Sequence, residues 1–430
     1  MTPSSEFPLR ARLKRRVLGA RCPGASKLKG ILTLLSLLPA YVSAYQSVTI
    51  DKADLGKQFL LQTSYERDDG WQDFMTSRSR IVVFRHRGET LEMLEGGCAE
   101  NCPEHALATL PIRGETDQTF DVDFNAGFDR VFRQEDRTGE DYFGRLATND
   151  YSFIPLAQRH LLSAYRESSM LVLNQEALDE DGETMVVHYY LTPYRHNPDF
   201  VPFEIEDLQH FGFYETYPRL RSGRNVLYAM KFDTHRPIVF ALSSTIPAQY
   251  RLAISDGVRY WNKAFGMPLL ELTDAPEGIS APNPEYNVIE WVDAGEHAST
   301  SHIQSDPLTG EILHASIFIR ADMMDDGNLE ERLNRLRYVA AHEVGHALGL
   351  RHNFSDGPVS TVMNYFLFEQ TVMIGHDVIA SDAPALEYDR KVVRYVYLDS
   401  PIDIDSLPPF CTDAQAGCSP FPPLRPPPGD

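Results

Sequence analysis

The sequence predicts an α+β protein in which a β-rich N-terminal domain precedes a domain with a mixed sheet and one long helix. Three observations predict it. Between Gln46 and Tyr194, short runs rich in Val, Leu, Phe and Tyr recur between polar stretches, as strands do. From Pro237 onward, such runs alternate with segments of helical period, the pattern of a sheet whose strands are joined by helices. Leu329, Leu333, Leu336 and Ala340 then recur at helical spacing over Leu329 to Leu348.

The first 44 residues stand apart from this pattern. They hold eight basic residues and one acid, Glu6, then the apolar run Ile31 to Leu38, then the small residues Val42-Ser43-Ala44. That order predicts a signal peptide cleaved after Ala44, and a secreted or periplasmic protein. The apolar run is too short to span a bilayer, so no transmembrane segment is expected in the mature chain. The whole chain carries a net charge of −21, and losing the basic leader makes the remainder more acidic. No basic patch remains to neutralise phosphates, which excludes nucleic acid as a partner. Four cysteines follow the leader as two close pairs, Cys98 with Cys102 and Cys411 with Cys418. An exported protein is expected to close such pairs as disulfides. Metal binding by Cys98 and Cys102 is the other reading, and no second thiol pair lies near them in sequence.

Residues 45–224 read as the β-rich domain and its connector. Gln58 to Thr63, Arg80 to Arg85, Glu89 to Leu94, Met170 to Asn174 and Met185 to Leu191 are the predicted strands. Asp181-Gly182 predicts a hairpin turn between the last two. The acidic cluster Asp179, Glu180, Asp181 lacks the ligand spacing of a calcium loop and reads as a solvated loop tip. Arg195 to Leu220 is polar and aromatic without a clear period, and reads as a connection between domains.

Residues 225–408 read as the second domain. Pro237 to Leu242, Asn287 to Val292 and Ile312 to Ile319 are its predicted strands, and Ala248 to Phe265 an amphipathic helix with Leu252, Val258 and Trp261 facing inward. Asp322, Asp325, Asp326 and Asn328 lead into the long helix. Their residue types suit calcium, but helix capping explains them equally well, so Ca²⁺ stays unsupported. Residues 409–430 form a tail with six prolines after Cys418, of linker-like composition.

The long helix ends in His342-Glu343-Val344-Gly345-His346-Ala347-Leu348-Gly349-Leu350-Arg351-His352, an H-E-x-x-H-x-x-G-x-x-H run. His342 and His346 stand one turn apart on one helix face, so both reach a single ion. Gly349 can adopt φ > 0 and stop the helix, which lets the chain turn and His352 supply a third ligand. Three imidazoles suit Zn²⁺, and leaving the fourth position to water marks a hydrolytic site rather than a structural one. Glu343 is placed beside the first ligand to take a proton from that water. The other histidines show no ligand spacing; Glu296-His297 and His302 fall in a predicted loop near the cleft.

Downstream lies Ser360-Thr361-Val362-Met363-Asn364-Tyr365. Together with the histidine run, this resembles the metzincin clan of zinc endopeptidases. The resemblance implies a zincin-like catalytic domain with a methionine-bearing turn beneath the ligands, a role that fits Met363. It implies that Tyr365, two residues on, lies near the metal and steadies the tetrahedral intermediate. Taken alone, Met363 reads as a core thioether and Tyr365 as a packed aromatic. Glu387-Tyr388-Asp389, Gly257 to Phe265, Tyr286 to Trp291 and Asp306 to Leu313 extend the likeness to bacterial secreted zinc-dependent metalloproteases with a β-rich N-terminal region of unknown function. It covers about residues 225–400; those relatives usually continue past the terminal helix, where this chain has its Pro-rich tail. By the same analogy, a protein or peptide substrate would lie antiparallel to Ala315 to Ile319, taken as the edge strand beside the cleft. Two rival functions share the motif: an exported binding protein with a non-catalytic zinc, and a zinc amidase acting on a cell-wall or other non-protein substrate.

Overall fold

Alternation of apolar and polar residues builds the first sheet. In the computed structural model of the chain, residues 47–67, 75–76, 79–96, 106–132, 153–167, 169–206, 210, 212–216, 218, 226–292, 299–320, 327–354, 360–403, 406–407 and 410–412 are described. The leader, Cys98, Cys102 and Cys418, Asp322, Asp325 and Asp326, Glu296-His297 and the Pro-rich tail lie outside them.

The N-terminal sheet has ten strands: β1 (Ser47–Asp51), β2 (Gln58–Arg67), β3 (Met75–Thr76), β4 (Arg80–Arg87), β5 (Thr90–Glu95), β6 (Ala106–Glu115), β7 (Thr119–Asp123), then, beyond a short helix α1 (Phe124–Gly127) and the strand pair β8 (Arg130–Phe132) and β9 (Phe153–Pro155), β10 (Ala157–Glu167), β11 (Met170–Leu178) and β12 (Thr184–Pro193). They run in the order β1-β7-β6-β5-β4-β2-β12-β11-β10, with β3 beside β2. Along β12, Met185, Val187, Tyr189 and Leu191 are buried and the residues between them less so, as period-2 side chains require. Gly182, at φ +82°, turns β11 into β12. Arg166 of β10 forms an ion pair at 3.2 Å with Asp51 at the end of β1. One apolar core, from Val48 to Leu191, packs against this sheet.

The described residues of 195–220, a stretch expected as a plain connection, pack in part with the second half instead. β13 (Phe203–Glu204) and β14 (Glu215–Thr216) flank β15 (Tyr228–Ala229) in a small antiparallel sheet. Ile205 and Phe213 are buried in the same core as the second large sheet. The physical reason is the aromatic content of the segment, which gains more from burial than from crossing solvent.

The second sheet contains β16 (Ile238–Leu242), β17 (Leu270–Asp274), β18 (Asn287–Val292), β19 (Thr300–Ser305) and β20 (Ile312–Arg320), in the order β17-β16-β18-β20-β19. All neighbours are parallel except β19, which is antiparallel to β20. The expected edge strand is therefore misplaced. Ala315 to Ile319 lie in β20, which is paired on both sides, and the end strand is β19. His302, expected in a loop, is a residue of β19.

Helices α2 (Arg251–Phe265), α3 (Leu329–Ala347), α4 (Phe368–Ile374) and α5 (Glu387–Leu398) complete this half, with a single π-helical turn at Gly375–Ile379. Val258 and Trp261 are fully buried, but Leu252 is 64% exposed. Leu252 is nine residues from Trp261, half a revolution round the helix, so the two cannot share a face. α2 and α3 touch at Gly257, where a Cβ would stand 2.5 Å from Ala340 Cβ. Trp261 Nε1 donates to Ala341 O at 2.8 Å, fixing α2 against the zinc-motif helix.

Candidate metal centre

The helix that carries the motif is capped firmly. The Asn328 side chain accepts from the amides of Glu330 and Glu331, and Glu331 accepts in return from the Asn328 amide at 2.8 Å. This reciprocal cap satisfies donors that the first turn leaves orphaned. The helix then buries His342, Glu343 and His346 near its C-terminal end.

The helix stops at Gly349, whose φ is +92° and whose missing Cβ would lie 2.1 Å from Met230 O. No other residue fits that turn. Beyond it the chain is gripped by the upstream segment. Tyr214 N donates to Gly349 O at 2.7 Å, and Arg351 N donates to Gly212 O at 2.9 Å. The buried Arg351 guanidinium lies 3.2 Å from Glu215 Oε2 and 4.7 Å from the centre of the Tyr214 ring. His352 is thereby delivered to the other two histidines.

The three Nε2 atoms converge. His346 Nε2 is 3.2 Å from His342 Nε2 and 3.0 Å from His352 Nε2. His342 Nδ1–H donates to Val362 O at 2.7 Å, and His346 Nδ1–H donates to Leu350 O at 2.8 Å. Each of these two rings thus turns an unprotonated Nε2 to the common point. Burial keeps both imidazoles neutral, pushing His342 down to about 3 and His346 well below the usual histidine range. Lone pairs at such separations repel unless a cation lies between them. A tetrahedral zinc with arms of about 2.0–2.1 Å needs ligand separations on the order of 3.3 Å, so the donor set fits zinc.

Glu343 sits beside this cluster. Burial pushes its carboxyl up to about 8, opposed by Ser301 of β19, whose hydroxyl is 3.1 Å from Glu343 Oε2 and 2.7 Å from Glu343 O. Met363 is fully buried under the helix, against Gly345 and Trp261. Asp389, at the start of α5, holds the turn that bears Met363. It accepts from Thr361 Oγ1 at 2.5 Å, Val362 N at 3.0 Å and Tyr260 OH at 2.6 Å. Tyr365 is 43% exposed, its ring centre 4.4 Å from that of His352 and 5.7 Å from that of His342. A cavity of about 240 Å³ brings the three histidines, Glu343 and Tyr365 together with Ser301 and Tyr214.

Residues 325–401 match the family model described as Met-zincin. This stretch contains the three histidines, whose ring nitrogens lie close enough together to hold one metal ion. No curated protein matches the chain. A solved structure titled "Odorant Binding Protein OBP1" aligns at 10% identity over 35% of this chain and 79% of that one, with a TM-score of 0.15, which carries no argument.

The histidine cluster is also surrounded by residues that no motif announces. Ser301, Tyr214 and Glu215 come from upstream segments with no spacing relation to the histidines. Asp389 lies within the quoted Glu387-Tyr388-Asp389, but its bond to the methionine turn has no local signal.

Proposed function

We propose that the protein is an exported zinc endopeptidase. The observation that carries this reading is the convergence of three neutral imidazoles beside a buried carboxylate, in a cleft bordered by a sheet edge. A bound zinc ion would supply Lewis acidity, activating a water and polarising the scissile carbonyl. His342, His346 and His352 would hold the ion, and the hydrogen bonds to Val362 O and Leu350 O fix two of those rings. Glu343 takes the proton of the attacking water and passes it to the leaving amine. Tyr365 donates to the oxyanion from the side of His352. The peptide adds to β19, whose first residues line the cavity, and binds through main-chain hydrogen bonds.

Export follows from the leader, and sequencing the mature N-terminus is expected to begin at Tyr45. Among the described residues no helix is long and apolar enough to cross a membrane.

The test is Glu343→Gln. It should keep zinc bound and the fold intact while abolishing cleavage of every peptide the parent protein cuts. Undiminished proteolysis in that variant would sink the reading.

A further inference from the structure

Tyr194 belongs to both halves of the molecule. It follows β12, and its amide donates to Gln58 O of β2 at 2.9 Å, so its backbone continues the N-terminal sheet. Its hydroxyl donates to Asp306 Oδ2 at 3.0 Å, in the turn that joins β19 to β20. Asn197 donates from Nδ2 to Glu311 Oε1 at 2.8 Å, at the other end of the same turn. Both carboxylates are buried, so each needs donors from the protein. Two further segments grip the turn. Thr216 Oγ1 donates to Pro307 O at 2.6 Å, Lys231 N donates to Gly310 O at 2.9 Å, and Ile312 N donates to Lys231 O at 2.7 Å.

β19 needs this support. Among the described residues it is the end strand of its sheet, laddered to β20. Its first residues border the cavity, and Ser301 there bonds Glu343. From Ser301 the strand runs to Ser305, roughly 13 Å further on. The turn held by Tyr194 and Asn197 begins at the next residue. The edge that receives the peptide is thus fixed at one end by the site and at the other by the N-terminal half.

We infer that Tyr194 and Asn197 are positioning residues for the substrate: they set the far end of β19, and through it the N-terminal half governs how tightly an extended peptide binds. A strand adds to an edge through a row of main-chain hydrogen bonds, and each weakens steeply when donor and acceptor move out of line. A tilt of the turn displaces the far residues of β19 most and those beside the histidines least. Contacts near the scissile bond are then spared, and contacts further along the peptide are lost. This inference rests on the endopeptidase reading.

The experiment compares two peptides that share a cut site found by screening a peptide library with the full-length zinc-loaded protein. One is confined to the residues flanking the cut. The other is extended upstream of it, the side that runs along β19 in antiparallel pairing. In the parent protein the extension should lower KM. In the Tyr194→Phe, Asn197→Ala double variant that gain is expected to fall about tenfold, the worth of one or two hydrogen bonds, while kcat and the short peptide's kcat/KM stay as they were. Binding of the long peptide to the inactive Glu343→Gln protein should weaken by the same factor when the two substitutions are added. Glu311→Gln still offers Asn197 a carbonyl oxygen and should keep the gain, whereas Glu311→Leu should reduce it. A gain that survives in the double variant, an equal loss for both peptides, or a loss of zinc or of the fold overturns the positioning role and leaves the peptidase reading standing. So does an extension that brings no gain in the parent protein. No cleavage of any library peptide by the parent protein overturns both.

Discussion

Met363 lies directly beneath Gly345: a Cβ on Gly345 would stand 2.2 Å from Met363 Sδ and 2.7 Å from Trp261 Cζ2. Gly345 is the residue just before the second histidine, so this contact sets the depth at which the motif helix rests on the methionine turn.

Gly345→Ala is therefore expected to destabilise the protein by about 1–3 kcal/mol through overpacking, and to weaken zinc binding with it. Met363→Ala makes room for the new methyl. In urea denaturation the double variant should be more stable than the sum of the two single losses predicts. Strict additivity would show that the contact is not felt.

Zinc should stabilise the folded chain by mass action, by roughly 2.7 kcal/mol when free metal is a hundredfold above its dissociation constant. A chelator is expected to lower the melting temperature, and added zinc to restore it. His346→Ala, which removes the central of the three Nε2 atoms, should lose both responses.

Ser301 holds the Glu343 side chain from β19. Ser301→Ala should leave zinc content unchanged and lower kcat about tenfold, the value of one hydrogen bond. A change confined to KM would instead assign Ser301 to substrate binding.

Asp389 gives a pH-dependent term. Burial raises its carboxyl to about 6 in the folded protein, above the ordinary 3.8. A raised folded value means that the folded chain binds the extra proton. The stability it brings is complete below about pH 4 and is lost as the pH rises through about 6. Asp389→Asn cannot titrate, so the difference in unfolding free energy between parent and variant should change across that window. A difference that stays flat from pH 4 to 7 refutes the assignment.

Lys263 closes the end of the π-helical turn. Its ammonium donates to Val378 O at 2.7 Å, Ile379 O at 3.0 Å and Ser381 O at 2.7 Å. Lys263→Met would leave these carbonyls without their donor, and is expected to cost on the order of 3 kcal/mol. Hydrogen exchange should quicken first across residues 375–383. Uniform acceleration over the whole chain would mean that Lys263 has no local role.

The histidine cluster is legible because its three imidazoles and Glu343 lie within eleven residues, mostly on one helix, where spacing alone fixes direction. β2, β4, β5, β11 and β12 of the first sheet are legible as runs rich in apolar residues, while the inner strands β6 and β7, interrupted by Pro111, Gly114 and acidic residues, are not. β10 is exposed along nearly its whole length and carries no such run. The same blindness displaced the cleft's edge. β19 reads Thr-Ser-His-Ile-Gln-Ser, which carries almost no apolar signal, so the edge was assigned to the apolar strand after it. The partners of the site were illegible for another reason. Ser301, Glu215 and Asp389 meet it only through tertiary contacts, and no periodicity encodes those.

The grip of residues 212–215 on the turn between the second and third histidines reaches across 138 positions of chain, from Phe213 to Arg351. The third histidine is thus held by polypeptide that lies far outside the stretch matching the Met-zincin model. That stretch is not a portable cassette. Grafted onto another scaffold, or excised without Gly212 to Glu215, it would keep its two helical histidines and lose the support that aims the last one.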